Sequence, residues 1–165
     1  MKVAVIGVGN LLLGDEGVGI HTVRRLATAC LPSGVEVIDG GTGGLNLLDY
    51  MDGRDLVVFI DCADAGGPPG TIYRLSLDDL EGSDAETRLF SLHEVGLAQT
   101  LALAKRLLTR LPTITIYGVQ PARVAWDTNL SPELAQVLPK LVELVKEEIV
   151  GWLEGRQHSR REPTP

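Results

Sequence analysis

The chain has 165 residues, 44% of them hydrophobic, enough for one domain with a sizeable core. Its formal net charge is −7, and the last eleven residues carry three arginines and one glutamate, so the body before them stands at −9. A body that acidic repels nucleic-acid phosphates and anionic membrane surfaces, and neither is expected as a partner.

The first apolar run, Val3-Ala4-Val5-Ile6, reads as a buried strand ending at Gly7. It is too short for a signal-peptide core or a membrane span, so the protein is expected to be cytoplasmic. Residues 16–29 follow as a helix, with Ile20, Val23 and Ala27 on one face. Val35-Glu36-Val37-Ile38 is a second strand, ending on Asp39-Gly40-Gly41, and residues 44–51 form a short helix. Leu56-Val57-Val58-Phe59-Ile60 is a third strand, ending on Asp61. Residues 71–75 alternate in polarity and look half-exposed. A Gly/Pro-rich loop without a helix joins them to the third strand, which suggests an antiparallel pair with residues 56–60. Residues 93–109 place Leu97, Leu101, Ala104 and Leu108 on a helical stripe, and Ile114-Thr115-Ile116-Tyr117 is the last strand. A final helix runs from Pro132 to about Leu153, capped by Ser131, with a kink or break predicted at Pro139.

Near-continuous apolar strands separated by helices predict a three-layer α/β fold. The sheet is expected to be twisted and mostly parallel, of about five strands, with helices on both faces. Residues 1–154 form a single domain on this reading, and residues 155–165, with nothing apolar to bury, are a disordered tail. Cys30 and Cys62 lie far apart with no C-x-x-C spacing, which fits a reducing compartment rather than a disulfide framework.

Ligands in such sheets collect beyond the C-terminal ends of the strands. There, strand one enters Gly7-Val8-Gly9-Asn10, then Gly14-Asp15-Glu16-Gly17-Val18-Gly19. A dinucleotide fingerprint would need glycine at residue 12, which is Leu, and the acids Asp15 and Glu16 would repel a pyrophosphate. Acids in a first helical turn are also ordinary partners of the helix dipole, but the glycines around them imply a special backbone shape. Asp61 follows five apolar residues, where an acid is a candidate for chemistry, with a turn-capping role as the plainer alternative. Asp64 could share either role. His93 stands at a helix start, but Leu97 rules out the H-E-x-x-H zinc motif. Two carboxylates and an imidazole suit a borderline divalent metal. A Cys62–His93 thiol dyad is a lesser alternative, since a cysteine at a buried strand end is usually inert packing.

Four segments in one register, spanning residues 3 to about 121, resemble the nickel-iron hydrogenase maturation proteases. They are Gly7-Val8-Gly9-Asn10 with Asp15-Glu16-Gly17-x-Gly19, Asp39-Gly40-Gly41-Thr42-x-Gly44, Asp61 with Pro69-Gly70-Thr71, and Ser91-x-His93-x-x-Gly96-Leu97. Two positions depart from the family pattern: Cys62 replaces a usual Ala, and Gln120 replaces a frequent Glu before Pro121. The resemblance implies an endopeptidase that removes the C-terminal extension of a nickel-loaded hydrogenase large-subunit precursor. It implies Glu16, Asp61 and His93 as both metal-contacting and catalytic residues. The nickel would be supplied by the substrate, and other divalent metals could substitute. A non-catalytic, nickel-dependent binding or chaperone protein for the same subunit is the rival reading.

Overall fold

A computed structural model describes residues 1–81 and 97–159 of the chain. Strand β1 (Val3–Gly7) is buried along its whole length. It pairs in parallel with β2 (Val35–Asp39) on one side and β3 (Leu56–Cys62) on the other. β5 (Thr113–Val119) lies parallel beside β3, and β4 (Ile72–Ser76) closes the edge antiparallel to β5. The sheet order is β2-β1-β3-β5-β4.

The sheet is mixed, but not through the pairing the sequence suggested. β4 pairs with β5, which inserts between it and β3. β5 is buried on both faces from Ile114 onward and takes the interior slot. β4, half-buried and carrying the exposed Arg74, suits an edge, where a charge can reach water.

Alternate strand residues point to opposite faces, and each face has its own helices. Helices α1 (Val18–Leu26) and α5 (Pro132–Ser159) cover the face formed by Val3, Val5, Val58 and Ile60. Helices α2 (Asn46–Met51) and α4 (Leu97–Leu107) cover Ala4, Ile6, Val57 and Phe59, with Leu80 of α3 (Leu77–Glu81) in the same cluster. Of the helix expected over 93–109, the first four residues lie outside the described ones. Leu97, Leu101 and Ala104 are buried on α4 as its stripe requires.

Helix α5 begins as the sequence indicates, with the Leu134 N–H donating to Ser131 Oγ at 3.4 Å. Of the kink or break expected at Pro139, the break does not occur: α5 is one helix through Pro139 and on to Ser159, into the segment expected to be tail. Interior proline costs about 3 kcal/mol. Here Leu134, Leu138, Leu141, Val145 and Ile149 are buried on both sides of it, and that packing offsets the loss. Glu148 fastens α5 to the sheet edge through two 2.8 Å hydrogen bonds from Arg74, with further ones from Thr115 and Tyr117.

The chain turns to opposite sides of the sheet after β1, so the ends of β1 and β3 flank the crevice where open α/β sheets place their ligands.

Candidate active site

The site grows from the loop after β1. The 3-10 turn Asp15–Gly17 leads into α1 and packs against β3. That approach requires positions without side chains, Gly7, Gly9 and Gly19 among them. A Cβ on Gly19 would collide with the carbonyl oxygens of Val8 and Ile60, and one on Gly9 with the carbonyl oxygen of Glu16. Gly9 also has φ of 150°, which side chains disfavour. The Gly-rich pattern therefore serves close packing of a turn onto two strand ends rather than a phosphate.

Asp15 and Glu16, adjacent in sequence, have different duties. Asp15 is fully buried, and its carboxylate accepts three backbone N–H groups from the segment that precedes α5. Ala122 and Arg123 donate to Oδ2, each at 2.9 Å, and Ser131 donates to Oδ1 at 2.7 Å. It is an anchor for loop 121–131, a stronger role than that of a helix-dipole partner. His21, one turn into α1, reaches the same loop through a hydrogen bond to the Thr128 carbonyl. Burial and the nearby Arg24 nevertheless hold its pKa below the ordinary histidine value. Nothing local marks either role, because the partners are more than 100 residues away.

Glu16 is 3% exposed and Asp61 fully buried. Asp61 lies within β3, in register with Gly118 of β5, and its Oδ1 accepts the Cys62 N–H at 2.7 Å. Cys62 reports that the two acids share one neighbourhood. Burial pushes its thiol pKa strongly upward, and the charges of Asp61, Glu16, Asp15 and Asp64 push it further. A thiol so disfavoured from ionising is the opposite of an activated nucleophile, which weighs against the thiol-dyad alternative. His93 lies outside the described residues. Among those described, no three His, Cys, Asp or Glu side chains are grouped to hold a metal ion.

Asp64 and Gln120 form the rim beyond β3. Asp64 caps the turn at 64–66, its Oδ1 accepting the Gly66 N–H at 3.1 Å and the Gln120 Nε2–H at 2.8 Å. These bonds hold its carboxyl below the usual range. The Oε1 of Gln120 accepts N–H bonds from Ala65 at 2.8 Å and Gly67 at 3.2 Å, so this side chain uses donor and acceptor at once. The sequence marked Gln120 only as a departure from a pattern, and its organising role emerges from the fold. Asp39, the other strand-end acid, is exposed and caps its own turn by accepting the Gly41 N–H at 3.0 Å.

A family model described as hydrogenase maturation protease matches residues 20–148. The chain belongs to that family. The protease is 35% identical over 148 residues to the hydrogenase 2 maturation protease of Escherichia coli, covering 88% of each chain. It is 31% identical over 153 residues to the hydrogenase expression/formation protein HupD of Rhodobacter capsulatus, covering 92% of this chain and 72% of that one. Its fold superposes on the hydrogenase maturating endopeptidase HybD from E. coli with a TM-score of 0.78. That match has 32% identity and covers 88% of this chain and 90% of the other. The mostly parallel five-stranded sheet with helices on both faces is thus the family fold, and the protein is a hydrogenase maturation endopeptidase.

Proposed function

We propose that this protease removes the C-terminal extension of a hydrogenase large-subunit precursor after nickel has been installed, and that it reads the substrate's own nickel through Glu16, Asp61 and His93. The observation that carries this reading is the pair of buried carboxylates, Glu16 and Asp61, on two elements that meet at the crevice between β1 and β3. Carboxylate oxygens are hard, anionic donors well suited to a divalent cation. An oxygen–oxygen–nitrogen donor set suits a borderline divalent metal such as nickel.

Held by Glu16, Asp61 and His93, the nickel would supply Lewis acidity for hydrolysis of the peptide bond. The chain's own residues do the selecting and orienting. β3 and the Cys62 hydrogen bond fix Asp61. Glu16 rides on a turn held from behind by Gly9 and Gly19 and from the side by the Asp15 anchor. A precursor without nickel lacks the metal that these donors select, so it binds poorly and escapes cleavage.

The protease would work in the cytoplasm on this reading. Cys30 is exposed and Cys62 buried, both as free thiols, which a reducing compartment preserves. Among the described residues, no helix is long and apolar enough to cross a membrane. The test is to incubate the protease with nickel-loaded and nickel-free large-subunit precursor and weigh the products by mass spectrometry. Loss of a discrete C-terminal peptide from the loaded precursor alone is the expected result. Tight binding with unchanged mass would overturn cleavage in favour of a nickel-dependent chaperone.

A further inference from the structure

Three large apolar side chains stand in water beside the site. Trp126 is 82% exposed, Leu12 53% and Val124 42%. They belong to two loops that the backbone ties together. The Gly14 N–H donates to the Asp127 carbonyl at 2.7 Å, the Asp127 N–H to the Leu12 carbonyl at 3.1 Å, and the Asp15 N–H to the Arg123 carbonyl at 3.4 Å. Short bridges pair Leu13 with Asp127 and Gly14 with Val124. Arg123 and Asp127 neutralise each other through a 2.7 Å ion pair, which leaves the rim of this knob without net charge.

Exposing a tryptophan on a braced loop has no folding benefit, and such residues are typical anchors of protein interfaces. We infer that Leu12, Val124 and Trp126 form a docking platform for an apolar segment of the large-subunit precursor. This inference rests on the reading that Glu16 belongs to the reaction centre. The occupant follows from continuity. The loop bearing Leu12 runs directly into Glu16, and the loop bearing Val124 and Trp126 hangs from the carboxylate of Asp15. A polypeptide held at Glu16 is therefore presented to the platform, whose balanced charge suits an apolar segment rather than an acidic or basic one.

The test uses the full chain and the nickel-loaded precursor. Trp126→Ala, and a Val124→Ser/Trp126→Ala pair, should raise KM for the precursor by about 10-fold or more. Their kcat should move far less, and their melting temperatures should stay near that of the parent because the side chains are exposed. An unchanged KM, with the parent protein cleaving normally, overturns the platform while leaving the proposed function standing. A fall in kcat at constant KM also overturns it, by placing these residues in the chemical step. Self-association of the parent in sedimentation, abolished in the variants, would overturn it in favour of a second copy as occupant. Failure of the parent to cleave loaded precursor would instead sink the proposed function.

Discussion

The carboxylate of Asp15 and the backbone N–H of Ser131 meet at 2.7 Å across 116 residues of chain. With the Ala122 and Arg123 N–H groups on the other oxygen, this makes Asp15 the fastening between the loop after β1 and the loop before α5.

Asp15→Asn keeps the size but turns an acceptor oxygen into an amide that faces an N–H donor. The expected cost is about 3 kcal/mol, the scale of a buried hydrogen bond to a charge plus the donor left unmet. Urea denaturation measures it. Processing should fall as well, since the loop bearing Trp126 loses its tether.

Glu16→Gln changes charge with little change in volume. Precursor processing should drop by roughly 100-fold or more, the scale for a group acting at a reacting centre. The melting temperature should move little. Normal cleavage by this variant would remove Glu16 from the site.

Gln120→Glu sets a second carboxylate against Asp64, where the amide now donates at 2.8 Å. Asp64 is exposed, so the expected penalty at neutral pH is modest, about 1 kcal/mol. Adding Asp64→Asn should recover most of it. A double-mutant cycle on thermal stability reads the coupling, and additive effects would show that the two side chains do not communicate.

The hydrogen bonds from Arg74, first among the causes, depress the pKa of Glu148 below its ordinary 4.5. A depressed carboxylate contributes stability above the unfolded value and loses it as pH falls through the folded one. Glu148→Gln should therefore cost about 1–2 kcal/mol at neutral pH. The gap between variant and parent should close below pH 4.5, followed by melting curves across pH.

His21 loses stability over a different window. Its folded pKa lies below 6.5, chiefly through burial, so the neutral ring is favoured in the folded state. Its contribution is present above pH 6.5 and declines as pH falls below it, because protonation meets a buried Nε2 with no partner among the described residues. His21→Asn should flatten the stability profile just below pH 6.5. An imidazole that titrates above 6.5 by NMR would reverse the sign.

The sequence by itself determined the layers. Runs such as Val3–Ile6 and Leu56–Ile60 are apolar at every position, which only a strand covered on both faces can use, and the Leu97, Leu101 and Ala104 stripe fixes a covering helix. It also marked Asp61 at the end of a buried strand and the pair Asp15 and Glu16 among glycines, while the choice of Glu16 from that pair came from the family resemblance. Local pattern could not decide relations between distant segments. The edge position of β4 depended on β5, which follows it in the chain. The continuity of α5 through Pro139 depended on packing along the whole helix. The separate duties of Asp15 and Glu16 depended on donors at residues 122, 123 and 131, and the work of Gln120 on the turn at 64–67. Hydrogen bonds over such separations leave no periodicity in the sequence, so only the tertiary structure could tell an anchor from a candidate ligand one residue away.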